Sequence, residues 1–188
     1  MKTLSSFSRF VQSVCPHIQL QKHQKELFSM FEKKNSLLIS KYRQGGFTTL
    51  AYLYLLWKVS STSNFRGMLI VDNYCQLKSL EKTISPILGR EFTKVFLCGN
   101  FYAGTDKNSG FIITTNSFAR MTGVSAHTII LDELNEDRGI VPHVLTKKMF
   151  CFLPPHNINY NLPDTIQFTK KISKNRQVYY TVTKNNTR

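Results

Sequence analysis

The chain has 188 residues, 41% of them hydrophobic and 12% aromatic, enough apolar surface to give one domain a full core and to exclude wholesale disorder. Twenty-five Lys and Arg against 11 Asp and Glu leave a formal net charge of +14, an excess that no fold requires and that suits a polyanionic partner, nucleic acid first. No apolar run reaches the ~18 residues of a membrane-spanning helix and no secretory signal opens the chain, so a soluble, intracellular protein without a membrane role is expected.

Phe7, Phe10, Val11 and Val14 fall at helical spacing, Cys15-Pro16 interrupts them, and Leu20, Leu27, Phe28 and Phe31 resume the pattern, so residues 1–35 read as helices. Residues 36–40 form a short apolar run between polar neighbours, as a buried strand does. A glycine-bearing segment, 41–49, follows it, and a helix from about 48 to 60 carries Leu50, Leu53, Tyr54 and Trp57. Residues 67–72 predict a second buried strand and 74–88 its helix. Residues 94–98 and 110–115 predict two more strands, with 99–109 as a hairpin-like turn between them. Residues 128–133 are the most hydrophobic strand and end in Asp132 and Glu133.

Pro154-Pro155 and an asparagine cluster then predict a loop, with further strands at 165–169 and 177–183. From 170 to 188 there are six basic residues and no acidic one, which reads either as a solvated terminus or as a strip of phosphate contacts. Strands alternating with helices imply an α/β fold, a mainly parallel sheet flanked by helices in a single domain. Residues 1–150 would be its core and 151–188 a basic C-terminal segment. The four cysteines are far apart and pair with none of the five histidines at metal-ligand spacing, so reduced, mostly buried thiols and no structural zinc are expected.

A glycine loop between a buried strand and a helix is a phosphate cradle in outline: its backbone N–H groups can converge and the helix N-terminus favours an anion. The common form is G-x-x-x-x-G-K-[ST], but Gly46 is followed by Phe47 and Thr48, so an aromatic stands where the lysine is usual. The second half of a nucleotide site is the strand ending in Asp132 and Glu133. Ligands of open α/β sheets bind at such carboxyl ends, where an Asp can hold Mg²⁺ and an adjacent Glu can orient or deprotonate water.

These residues resemble the ATPase lobe of the large terminase subunit, the DNA-packaging motor of tailed phages and herpesviruses, over roughly residues 20–140. Its phosphate loop is similar to Arg43-Gln44-Gly45-Gly46-Phe47-Thr48-Thr49, its adenine-side glutamine to Gln24 after His23, and its hydrolysis strand to the stretch from Met121-Thr122-Gly123 to Asp132-Glu133. In the lambda-type branch the lysine sits at the start of the loop and an aromatic takes its usual place, which Lys41 and Phe47 resemble. A lysine there can fold its stem over the loop and place its charge on the phosphates.

The resemblance implies ATP and Mg²⁺ as cofactors. Gln24 would contact adenine, and Lys41 and Arg43 would hold the phosphates with the backbone of Gln44, Gly45, Gly46 and Phe47 and the paired threonines. Thr48 and Asp132 would take Mg²⁺ and Glu133 would activate water. Arg120, two residues before Thr122, is the displaced candidate for a charge-stabilising arginine. Double-stranded DNA, other terminase subunits and a portal are the implied partners. The setting is the host cytoplasm or nucleus, transiently at the procapsid, in a ring when assembled. After Asp137 the only acidic residue is Asp164, so no nuclease domain with its clustered carboxylates is expected. Two other readings stay open: a helicase-like DNA-dependent ATPase, which shares the upstream glutamine and the Asp-Glu strand, and a catalytically silent DNA-binding or assembly module of the same fold.

Overall fold

Strands that are apolar on both faces belong in the middle of a parallel sheet covered on both sides, and residues 67–71 and 128–131 meet that description. The computed structural model describes residues 2–40, 45–90, 92–115, 125–132, 146–153, 166–172 and 178–184. Within them lie helices α1 (Lys2–Val14), α2 (Lys22–Lys33), α3 (Phe47–Ser61) and α4 (Tyr74–Ile84). The strands are β1 (Ser36–Ser40), β2 (Arg66–Val71), β3 (Thr93–Leu97), β4 (Asn100–Gly104), β5 (Gly110–Thr115), β6 (Ala126–Asp132), β7 (Thr146–Leu153), β8 (Ile166–Ile172) and β9 (Val178–Lys184). All nine join one sheet in the order β3-β4-β5-β2-β6-β7-β1-β9-β8. The central β5, β2, β6, β7 and β1 are parallel, and antiparallel pairs flank them, β4 and β3 on one side and β9 and β8 on the other.

Alternation along the strands divides the core. Leu37, Ile39, Leu69, Val71, Phe111, Ile113, Ile130, Phe150 and Phe152 join the cluster packed against the helices. Their neighbours Met68, Ile70, Ile129 and Leu131 form a second buried cluster with Met149 and Cys151. α3 has ten buried residues among its fifteen, as befits a helix covered on more than one side. It packs against the sheet and against aromatic residues of α1 and α2. Phe7 stacks on Phe28 at 4.1 Å and meets Trp57 edge-on at 5.7 Å, and Phe31 stacks on Phe150 of β7 at 4.3 Å. An ion pair of 2.9 Å between Glu32 and Lys58, with the Tyr54 hydroxyl donating to Glu32 at 3.0 Å, ties α2 to α3. Among the described residues no helix is long and apolar enough to cross a membrane.

Three expectations need correction. Residues 99–109 are not one turn, because β4 occupies 100–104 between two tight reversals. Cys98 and Gly99 reverse the chain with φ of 50° and 72°, a pair of left-handed residues that suits a two-residue hairpin, and Thr105 N–H donates to the Ser109 carbonyl at 2.8 Å to close the second. β7 was not anticipated, yet it lies between β6 and β1 and runs through residue 150. Lys147 and Lys148 stand near its start, a solvent signal by composition. Lys148, however, donates to the carbonyls of Phe31 and Glu32 at 2.7 and 3.1 Å and so caps the C-terminus of α2. Burial, with Lys58 nearby, lowers the pKa of its ammonium against the opposing pull of Glu32. The thiols, finally, are all free, but only Cys15 is buried; Cys75 and Cys98 are exposed and Cys151 half-buried.

Phe31 is fully buried and joins α2 to β7 by stacking on Phe150. Phe31→Ala is therefore expected to cost about 3–5 kcal/mol of stability in urea unfolding, the usual range for emptying a buried aromatic site.

Candidate functional site

Parallel register brings three strand ends level. Ile39 of β1 pairs with Phe152 of β7, and Phe152 pairs in turn with Asp132 of β6. The end of β1 and the carboxylate of β6 therefore stand two strand spacings apart, about 10 Å, with β7 between them. Asp132 shares its face of β6 with Ile130, the face that the helices cover, and is fully buried.

The chain leaving β1 turns into α3 at Gly46, which has φ 67° and ψ 22° and serves as the N-cap, accepting the Leu50 N–H at 2.9 Å. Only glycine takes that conformation without strain, and a Cβ added there would run into the amide nitrogen of Gln24. α3 has neither a side-chain cap nor an acidic residue in its first turn, so nothing of its own neutralises the positive end of the helix. Phe47 does not reach toward a ligand. It is 3% exposed and packs on Phe152 at 5.9 Å and on His23 at 5.7 Å, so the aromatic in the lysine's usual place is a core residue that seats the start of α3 over β7.

The next residue completes the arrangement. Thr48 Oγ1 donates to Asp132 Oδ2 at 2.6 Å, across the strand that separates β1 from β6, and Gln76 Nε2 donates to the same oxygen at 3.4 Å. Thr49 is partly buried in the first turn of α3, its hydroxyl bonded to Tyr52. Gln24 faces the loop: Nε2 donates to the carbonyl of Gly46 at 3.2 Å and, more weakly, of Gly45 at 3.5 Å, while Oε1 accepts the Gln21 N–H at 2.9 Å in a capping box. His23 Nε2 bonds the Gly45 carbonyl at 2.9 Å. Half-buried Cys151 lies on β7 beside the site, and burial, helped by the Asp132 charge, pushes its thiol up to about 12. It is a packing group, not a nucleophile.

Gly45, Gly46, Thr48 and Asp132 are thus brought together, with Gln24 against the loop's backbone. Lys41, Arg43, Gln44, Arg120 and Glu133 lie outside the described residues. Sequence reading missed Gln76 and gave His23 no role. Gln76 had a legible signal, because Asn73-x-x-Gln76 is a capping pattern. Asn73 accepts the Gln76 N–H at 2.9 Å and Gln76 Oε1 accepts the Asp72 N–H at 3.3 Å, which leaves the amide nitrogen to reach Asp132.

No protein-family model and no curated protein sequence matches the chain. Solved structures do. The large terminase of bacteriophage HK97 superposes with a TM-score of 0.60 over 80% of this chain at 12% sequence identity. An arginine-to-alanine mutant of the large-terminase ATPase domain of Thermus phage P74-26 gives 0.51 over 79% at 13% identity. The chain has the fold of a large-terminase ATPase lobe. It spans 37% of the length of the HK97 protein and 70% of the P74-26 domain.

If Phe47 is a core residue of this terminase-like lobe, putting the usual lysine there should damage the fold. Phe47→Lys is expected to cost about 3 kcal/mol or more, from a lost aromatic and a charge forced among Phe152 and His23. Thermal unfolding and ATP titration check this; a stable variant with tighter ATP binding would contradict it.

Proposed function

We propose that the chain is the ATP-binding and hydrolysing module of a viral DNA-packaging motor of the terminase type. The observation that carries the reading is the 2.6 Å bond between Thr48 and Asp132, which joins the helix after a glycine loop to the carboxyl end of a central strand. Two adjacent oxygen donors of this kind fit Mg²⁺, which takes few protein ligands and completes its shell with water and phosphate oxygens. Thr48 and Asp132 would hold the ion. When bound it neutralises developing phosphate charge.

The remaining roles belong to the chain's own groups. The backbone N–H groups from Gln44 to Phe47 and the N-terminus of α3 would receive the phosphates, with Lys41 and Arg43 supplying the cationic charge that position 47 gives up to the core. Gln24 would contact adenine. Glu133, next to Asp132 in the chain, would orient the attacking water and accept its proton. Arg120 is the candidate for stabilising charge on the transferred group. Phosphoryl transfer asks for little more than this positioning and charge compensation. The net charge of +14 suits a motor that grips double-stranded DNA by its phosphates without reading its bases, in company with other terminase subunits and a portal.

The test is ATP turnover by the full chain with and without duplex DNA. Lys41→Ala and Glu133→Gln are each expected to lower turnover by on the order of 10²-fold or more. Lys41→Ala should also weaken ATP binding and Glu133→Gln should not. Wild-type turnover in either variant would contradict the assignment of that residue.

A further inference from the structure

Two neighbouring residues at the start of α2 take hold of two consecutive carbonyls of the glycine loop. Gln24 holds Gly46 at 3.2 Å and His23 holds Gly45 at 2.9 Å. A carbonyl oxygen only accepts, so Nε2 of His23 carries the hydrogen and donates it. The ring is buried, 6% exposed, and lies against Phe47. We propose that His23 is a positioning residue that fixes the orientation of the phosphate loop through the Gly45 carbonyl.

The peptide unit supplies the reason. In a trans peptide the C=O and the following N–H point in opposite directions, and no peptide bond among the described residues is cis. Turning the Gly45 carbonyl toward α2 therefore turns the Gly46 N–H away from it, and under the proposed function that N–H is one of the donors to the phosphates. Gly45 and Gly46 have no side chains to impose that orientation. The grip comes from a helix that cannot slide: the carbonyls of Phe31 and Glu32 at its far end are held by Lys148, and Glu32 is paired with Lys58. His23 would touch neither nucleotide nor metal; it acts through the loop. The inference rests on the nucleotide-binding reading above only for what the loop binds.

Three variants of the full chain test it. His23→Leu removes the donor at similar volume, His23→Gln places an amide nitrogen near the position of Nε2, and His23→Asn is too short to reach. Amide hydrogen exchange of residues 45–49 without nucleotide reads the loop, and titration with ATP and Mg²⁺ well below the unfolding temperature reads its consequence. Losing the closer of the two donors to a buried carbonyl should speed loop exchange and weaken ATP binding by about 10-fold each in His23→Leu. His23→Gln should stay within about threefold of wild type in both and His23→Asn should behave like the leucine variant. A merely structural histidine would lower the unfolding temperature and leave loop exchange and affinity unchanged, and that result would overturn the proposal, as would a glutamine variant no better than leucine. If His23→Leu does not fold, the glutamine and asparagine variants decide the matter in the same way. Wild type that fails to bind ATP would defeat the nucleotide-binding reading alone, with loop exchange still deciding the role of His23.

Discussion

One hydrogen bond, from the Thr48 hydroxyl to the Asp132 carboxylate, joins the two halves of the candidate site, and most of the architecture is arranged so that it can form. The two residues come from elements that are not neighbours. β7 stands between the strand that feeds the glycine loop and the strand that carries the aspartate. The gap is bridged because α3 begins over β7, and α3 begins there because Phe47 is buried against Phe152, the residue paired with both Ile39 and Asp132. A bond from a hydroxyl to an ionised carboxylate is among the stronger ones available to neutral donors, but its geometry here is set by an aromatic contact.

This makes core and site hard to separate. Successive residues on a helix diverge by about 100°, so Phe47 can enter the core while Thr48 turns to the carboxylate. An aromatic where a lysine is usual then carries two consequences: position 47 anchors the helix, and under the proposed function the cationic charge would come from elsewhere. α2 has the same double character. Its middle supplies Leu27, Phe28 and Phe31 to the core, and its first turn places His23 and Gln24 on the loop.

Much of this was legible in the sequence. The strand at 36–40, the glycine pair, the apolar helix after it and the strand at 128–133 are local patterns, each with its own period or turn chemistry; the first three stand where expected to within a residue, and the last begins two residues earlier, at Ala126, and is described as far as Asp132. What the sequence hid depends on pairing. β7 opens Thr-Lys-Lys and precedes a proline pair, which disguises its apolar run from Met149 to Leu153 as part of a polar connection; only its neighbours make Lys148 a helix cap. β4 was hidden by the turn-forming residues in and around it, Gly99, Asn100, Gly104 and Asn108. The inward role of Phe47 and the loop contacts of His23 are equally non-local. The loop motif showed which residue types were present, but not that one of them faces the core.

The most direct test of the account is the Mg²⁺ dependence of ATP binding, measured by calorimetric titration with and without the ion for wild type and for Asp132→Asn, which keeps the shape of the side chain and removes its charge. The account predicts that Mg²⁺ tightens ATP binding to wild type by about 10-fold or more and does little for Asp132→Asn, because a carboxylate held beside Thr48 is what receives the ion. Equal tightening in both proteins would contradict it.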